Sequence, residues 1–453
     1  MPPSLILINP WIHDFAAYDL WSKPLGLLYL ARHLMHHGFS VQFIDCLDVH
    51  HPRMRHSGKA RPKRRAYGTG KFWRTLIPVP ETLQGTNRPY SRYGIPLEIF
   101  AQELTAAGKP AAILMTSLMT YWYPGVFEAI REAKRIYPDV PVILGGIYAR
   151  LCEAHARRHS GADRVIVTSG MESLLNALEN LGISPPRPDP PLKGPLYPAF
   201  DLLNQIDYVC LQTGSGCPYR CHYCASGFLN PRADRRLPGD VVAEIRYWHE
   251  AFGVRDFAFY DDALLVNSES HATVILEGLK KHGLPLRFHT PNALHVREIT
   301  PPIAQLMADT GFTTIRLGLE TADLTLHEQL DRKVGRGDFE RAVAHLFEAG
   351  FTPRNVGAYI LIGLPDQSID SILQTLHLVE KGGAMPFLAE YSPIPHTPLW
   401  DRATAVSPYD IRAEPLFHNN TLLPCWDEEQ KKALPRLKQR VMEIRRAHIN
   451  FHS

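Results

Sequence analysis

The sequence predicts an α/β protein: a doubly wound parallel sheet, then a partial (β/α)6 barrel, then a small helical C-terminal segment. Three observations carry that reading. Short apolar runs alternate with amphipathic helical patterns in two separate stretches. A proline-rich stretch at 182–200, GISPPRPDPPLKGPLYPAF, divides them. Within the second stretch, GSGCPYRCHYCASG at 214–227 brings three cysteines together as C-x3-C-x2-C.

Length and composition set the bounds. A chain of 453 residues holds two to four domains at about 100–200 residues each. Its 45% hydrophobic and 21% charged residues are those of an ordinary globular enzyme. A net charge of +3 implies no strong electrostatic partner, so nucleic acid is not expected. The opening MPPSLILINPWIHDF has no basic n-region, unlike a signal peptide. No apolar run approaches the ~20 residues of a membrane span. The expected location is the cytoplasm. Seven cysteines in a reducing compartment argue against a disulfide framework, so the clustered thiols call for a metal or redox explanation.

The first domain, 1–181, reads as five β-α units. SLILIN is a short buried strand. PLGLLYLARHLMHHG has helical periodicity and ends at Gly38, suited to the turn after a helix. SVQFID, AAILMTS, PVILGG and RVIV follow as strands, separated by GVFEAIREAKRIY and AHARRHSG. This repetition predicts a parallel doubly wound sheet, flavodoxin-like in size. One interruption is long: nine Lys and Arg fall between 51 and 75, with no acid from 49 to 80. It reads as a solvated loop, with contact to an anionic substrate or nucleic acid as the alternative. Proline at the density of 182–200 forms neither helix nor central strand and reads as a linker. In 201–404, strands are expected at 208–213, 256–260, 286–290, 313–319, 356–362 and 387–391. Helical patterns such as DVVAEIRYWHEAF and DFERAVAHLFEAG lie between them. Six such units are too few for a closed eight-stranded barrel and predict a partial one. Residues 405–453 finish in a polar helix, DEEQKKALPRLKQRVMEIRRAHI.

Three close thiols suit an iron–sulfur cubane with one iron left open. Four protein thiolates saturate the four irons and make an electron carrier. Cys217, Cys221 and Cys224 leave one iron free to bind a chelating small molecule and pass it an electron. Gly214 and Gly216 let the backbone come close. Structural zinc, the competing explanation, wants four ligands, usually as two pairs. No second pair exists; Cys210 and Cys425 stand alone.

CPYRCHYC resembles the C-x3-C-x-aromatic-C loop of the radical S-adenosylmethionine superfamily, and the resemblance extends across 205–400. It implies a [4Fe-4S] cluster whose open iron is chelated by S-adenosylmethionine, and reductive cleavage to a 5′-deoxyadenosyl radical. It also implies a small-molecule substrate and an electron donor such as a flavodoxin or ferredoxin. Tyr223 takes the aromatic position that packs near the adenine. Polar residues stand at the C-terminal strand ends, where a barrel enzyme needs them. These are Asp261 and Asp262 in FAFYDD, His289 in LRFHTPN, Glu320 in IRLGLET and Tyr391 in FLAEYSPIP. By the resemblance, Glu320 reaches the ribose hydroxyls. LIGLPD supplies Leu361 to pack on adenine and Gly363 for close approach. Asp261, Asp262, His289 and Tyr391 are the candidates for catalysis. YDD stands in place of the family's acidic-glycine motif, and His396 stands where relatives have Gly. Cys425 in LLPCWDE reads as a small buried hydrophobe, with an active-site thiol as the alternative.

PLGLLYLARHL, LMTSLMTYWYPG and VILGGIYA resemble the N-terminal domain of cobalamin-binding radical S-adenosylmethionine proteins. Thr116 and Ser117 in TSL match its motif after strand three, and Gly145-Gly146 its turn after strand four. Its axial-histidine motif after strand one is replaced by NPWIHD, and DVHHPR at 48–53 follows strand two with Arg53 for the glycine. No axial histidine is expected. Paired glycines let backbone approach a ligand at the carboxyl edge of a sheet, and short hydroxyls there bond a nucleotide tail. Tyr121, Trp122 and Tyr123 lie past a strand end, where a flat macrocycle or apolar substrate packs. The two resemblances imply methylation of an unactivated carbon, with methylcobalamin as donor. Against this stands a radical enzyme of rearrangement or cyclisation. A methylthiotransferase needs three more cysteines where the first domain has only Cys46 and Cys152, and an iron–sulfur electron-transfer protein needs a fourth ligand.

Overall fold

The computed structural model describes residues 2–451, except 56, 57, 59, 188–190, 192 and 193. The chain divides into two compact units, 1–207 and 208–453.

In the first unit, five strands follow in chain order: β1 Ser4–Asn9, β2 Ser40–Asp45, β3 Ala112–Met115, β4 Val142–Leu144 and β5 Arg164–Val165. Every neighbouring pair is parallel, in the order β5-β4-β3-β1-β2. Alternate side chains enter opposite layers. Ile6, Ile8, Ile113 and Met115 pack with Phe100, Leu104, Val126 and Ile130, from helices α2 Leu97–Ala107 and α3 Tyr123–Ile136. Leu5, Leu7 and Leu114 pack with Leu27, Ala31 and Leu34 of helix α1 Leu25–His36. Burial on both faces is why the strands read as continuous apolar runs. Helix α1 ends as expected at Gly38, with φ of 88° and the Phe39 amide on the Leu34 carbonyl.

Two expectations change. The stretch at 182–200, apart from its residues outside the described set, packs on the first unit. Ile183 and Ala199 are buried in its core, and the Ala199 amide donates to the Leu28 carbonyl. Proline excludes helix, but an extended strap with apolar side chains can still cover a sheet layer. The break between units falls after Asp207. The basic interruption is also more ordered than a solvated loop. Arg74–Leu76 and Ser91–Tyr93 form an antiparallel sheet with Ile12–Asp14, and Gly70–Lys71 pairs with Tyr18–Asp19. Arg64 donates to Asp19, which is 1% exposed.

The second unit is built on six strands, β6 Val209–Leu211, β7 Asp256–Phe259, β8 Arg287–His289, β9 Phe312–Glu320, β10 Val356–Ile362 and β11 Met385–Glu390. They run parallel in sequence order, and β6 and β11 do not pair with each other, so the barrel is open. Ile315, Leu317 and Leu319 are buried towards the helices, while Arg316, Gly318 and Glu320 alternate onto the inner face. The C-terminal helix α4 Glu428–Phe451 lies along the last strand. Its Arg445 donates twice to the Pro386 carbonyl, and its Lys438 pairs with Glu390. Covering an edge strand in this way removes a template for unwanted pairing. Among the described residues no helix is long and apolar enough to cross a membrane.

The helix Leu324–Leu330 begins at Asp323, whose carboxylate accepts from the Thr325 and Leu326 amides at 2.9 and 3.2 Å. Asp323→Ala should cost the second unit about 1 kcal/mol. Chemical denaturation followed through this unit checks it, and an unchanged midpoint would show that the cap contributes nothing.

Candidate functional site

The cysteine loop leaves β6 and is fixed before its first thiol. Asp261, just past the end of β7, accepts from the Thr213 amide, the Thr213 hydroxyl at 2.6 Å and the Gly214 amide at 2.7 Å. Burial pushes its carboxyl up to about 6, against those hydrogen bonds. Asp262 accepts from the Gly216 amide at 3.0 Å and from Asn230 at 3.1 Å. Gly216 has φ of 78°, and a Cβ there would lie 2.7 Å from the Arg232 carbonyl. Gly214–Ser215 pairs with Asp234–Arg235 behind the loop. Both aspartates, expected as catalytic, therefore hold backbone.

Beyond this anchor the three thiols follow. Tyr219 stacks on His295, with centroids 4.7 Å apart, and His295 Nε2 lies 4.0 Å from Cys217 Sγ. The Cys224 amide donates to the Cys221 carbonyl. The Tyr223 hydroxyl donates to Asp331 at 2.8 Å, and the other Asp331 oxygen bonds His327. Burial pushes the Cys221 thiol up to about 12 and raises Cys217 as well.

Glu320 ends β9 at a register shift, with φ of 64°. A bulge at a strand end re-aims a side chain. Its Oε1 accepts from Lys333 Nζ at 2.8 Å, and both groups are largely buried. Lys333 Nζ also lies 5.5 Å from the Tyr223 ring centroid. Burial works to lower its pKa, but Glu320, Cys221 and Asp331 hold it above the ordinary lysine value. Sequence reasoning missed Lys333. It sits in the loop LDRKVGRG, where no periodicity marks it.

The remaining strand-end residues separate. His289 is fully buried, with Nδ1 3.0 Å from the Thr314 hydroxyl and Nε2 3.1 Å from Asp256. Both nitrogens are engaged, which does not fit the expected substrate contact. Tyr391 is 3% exposed and packs with Leu361, Leu364 and Cys425, its hydroxyl without a hydrogen-bond partner among the described residues. Tyr223 packs against the same cluster. A Cβ on Gly363 would meet Leu423 at 3.1 Å and Tyr391, so the close approach there is made by the chain's own C-terminal segment. Asp366 pairs with Arg402. His396, with φ of 67°, stacks on Phe228 at 4.2 Å.

In the first unit a cavity of about 350 Å³ opens at the carboxyl edge of the sheet, lined by Gly26, Thr116, Leu118, Gly145, Thr168 and Gly170 among others. Cβ atoms added at Gly26 and Gly170 would meet nothing within 4 Å, and one at Gly145 would only approach the Ile166 carbonyl at 3.9 Å. Ser117 turns inward: its hydroxyl donates to the Gly145 carbonyl at 2.7 Å and accepts from the Ala149 amide. It shapes the turn instead of offering a hydroxyl to a ligand. The aromatic run is structural too. Tyr121 is buried, Trp122 donates to Asp14, and Tyr123 stacks on Tyr148. His13, His50 and His51 bond or pair with Glu128, Asp207 and Glu103.

The second unit is an open parallel barrel with three thiols after its first strand, and the sheet of the first unit has a glycine-lined carboxyl edge, the places where such folds bind ligands. The comparisons make it specific. The radical SAM superfamily matches residues 211–379, and the B12 binding domain matches 92–178. An uncharacterized methyltransferase of Synechocystis sp. is 26% identical over 308 residues, 64% of this chain but only 56% of its own length. The cytidylyl-2-hydroxyethylphosphonate methyltransferase of Streptomyces wedmorensis is 20% identical over 84% of this chain and 77% of its own. The radical S-adenosylmethionine methyltransferase TsrM of Kitasatospora setae, solved with tryptophan and a SAM analogue, shares the fold. Its TM-score is 0.64 at 17% identity, over 89% of this chain and 77% of that one. TsrM has also been solved with cobalamin and a [4Fe-4S] cluster bound. The chain thus carries a segment that matches the radical SAM superfamily and one that matches the B12 binding domain, and it shares the fold of TsrM.

The residues present fit these groups. Three thiols from one short loop match a cubane with an open iron. In such a cluster each thiolate would hold a different iron, so the donors need not converge on one point. Among the described residues no three His, Cys, Asp or Glu do so for a single ion. Desolvation raises the pKa of all three thiols, and iron is what would ionise them. The buried Ser226 hydroxyl beside Cys224 lacks a hydrogen-bond partner among the described residues. For cobalamin, the bare glycines of the first unit leave a cradle that side chains would fill.

Gly146 has φ of 96°, and a Cβ there would lie 2.3 Å from the Ser117 carbonyl oxygen and 2.5 Å from its nitrogen. Gly146→Ala should therefore displace the Ser117 turn and destabilise the first unit by ~2 kcal/mol or more. Thermal denaturation reads this directly, and an unshifted midpoint would mean the two segments are not held this close.

Proposed function

We propose that this protein is a cytoplasmic enzyme that methylates an unactivated carbon of a small molecule. The observation that carries the reading is the pairing, in one chain, of the three-thiol loop with the glycine-lined cavity at a sheet edge. Methyltransferase names among the relatives support it. When bound, the cluster and S-adenosylmethionine supply the radical and cobalamin supplies the methyl group. An electron donor such as a flavodoxin or ferredoxin would supply the electron that the cluster needs.

The chain's own residues do the positioning. Cys217, Cys221 and Cys224 hold the cluster. Asp261 and Asp262 act through Thr213, Gly214 and Gly216 to fix the loop that presents it. Glu320, oriented by Lys333, would hold the ribose of S-adenosylmethionine. Tyr223, locked by Asp331, and Leu361 would form an apolar wall for its adenine. Thr116, Gly145 and Gly146 shape the corrinoid cradle, with Ser117 holding the turn. Tyr391 stands in the apolar cluster with a hydroxyl available to a ligand, while His289 serves packing.

Cys217→Ala, Cys221→Ala and Cys224→Ala should each abolish reductive cleavage of S-adenosylmethionine after anaerobic reconstitution. Bound iron should fall with it. Cleavage retained in all three variants would sink the assignment.

A further inference from the structure

A second group of charged residues gathers near the amino-terminal ends of β10 and β11, away from the residues of the proposed reaction: Arg316 on β9, Arg354 in the turn before β10 and Arg445 on α4. Arg316 of β9 stands beside Gly357 of β10, and Gly357 stands beside Met385 of β11. Gly357 is bare for a reason: a Cβ there would come within 2.5 Å of the Phe387 ring and 3.1 Å of Arg316 Nη1. The missing side chain opens the space in which the ring and the guanidinium meet. The Arg316 guanidinium carbon lies 4.1 Å from the Phe387 centroid. Arg445, from α4, lies 4.1 Å from the same centroid. The two cations are thus within twice that distance of each other. A cavity of about 480 Å³ opens here, lined by Arg354, Met385, Phe387, Arg445 and Ile449.

What these arginines lack is a counter-charge. Arg316 donates to the Ile315 carbonyl and bonds the Tyr359 hydroxyl, and Arg445 donates to the Pro386 carbonyl. Among the described residues, no carboxylate lies within 4.0 Å of Arg316, Arg354 or Arg445. Nearby cations on the same helix are treated differently: Lys438 pairs with Glu390 and Arg440 with Glu380. Burial lowers the pKa of both Arg316 and Arg445, and the like charge of Arg445 lowers that of Arg316 further. Like charges gathered on one wall without acids repel one another, and a bound anion would relieve that repulsion. The guanidinium fork is shaped for paired oxygens, and an aromatic ring holds it flat.

We propose that this cavity is an oxyanion site, which takes the phosphoryl or carboxylate group of a small molecule. It lies at the end of the strands opposite Glu320, about 13 Å along β9 at 3.3 Å per residue. It does not depend on the methylation reading. The ligand enters against Phe387, with Arg445 and Arg354 meeting its oxygens and Arg316 adding charge from behind.

Calorimetric titration with inorganic phosphate at low ionic strength tests this, with chloride as the control for screening. The wild-type protein should bind one phosphate per chain below about 10 mM. Arg445→Gln should weaken it about tenfold, as expected for loss of a charge-assisted hydrogen bond. Arg354 is exposed, so Arg354→Gln keeps the test open if Arg445→Gln fails to fold, and it should weaken binding several-fold. Weakening in either folded variant supports the site. No binding to the wild type, or unchanged binding in every folded variant, overturns it.

Discussion

Two adjacent carboxylates hold the start of the cysteine loop, and the chemistry of the second unit depends on that grip. Asp261 takes three hydrogen bonds from Thr213 and Gly214, and Asp262 takes one from Gly216. A loop with two glycines before its first thiol has no intrinsic reason to adopt one path, because glycine gives up more conformational freedom than any other residue. The aspartates remove that freedom at the mouth of the barrel. The cost is a buried carboxyl whose pKa rises to about 6. Thiols placed by such a rigid frame can accept a cluster without reorganising the strands behind them.

On the other side of the thiols, charge is arranged as tightly. Lys333 bridges Glu320 and the Tyr223 ring, and Asp331 ties the Tyr223 hydroxyl to His327. The bulge at the end of β9 turns Glu320 to meet this network. One loop, 331–337, thereby connects the end of a strand, a helix and the cysteine loop. Among the described residues, the same unit places arginines without carboxylate partners at the far end of its strands, so its two ends differ in charge character. That division gives one barrel room for two kinds of contact.

The β-α rhythm was legible because parallel strands buried on both faces must be apolar throughout. The cysteine loop was legible because its spacing is specific. Other features were hidden by the way side chains are used. Arg74–Leu76 and Gly70–Lys71 are strands too short and polar to show alternation, so the basic interruption read as loop. The prolines at 182–200 announced an extended path but not that Ile183 and Ala199 would be buried. Asp261 and His289 looked alike as polar strand-end residues, yet one binds loop backbone and the other is sealed between Asp256 and Thr314. Gly363 suggested room for a cofactor, and Leu423, sixty residues on, reaches it first. Each difference arises from a partner distant in sequence.

The central claim is that one chain holds both an open-iron cluster and a corrinoid. Anaerobic purification with cobalamin supplied, then reconstitution with iron and sulfide, allows both to be counted by visible absorption, iron analysis and a corrinoid assay. The account predicts about four irons and about one corrinoid per chain. A full cluster with no corrinoid, even after reconstitution, would contradict it and leave the glycine-lined cavity to another ligand.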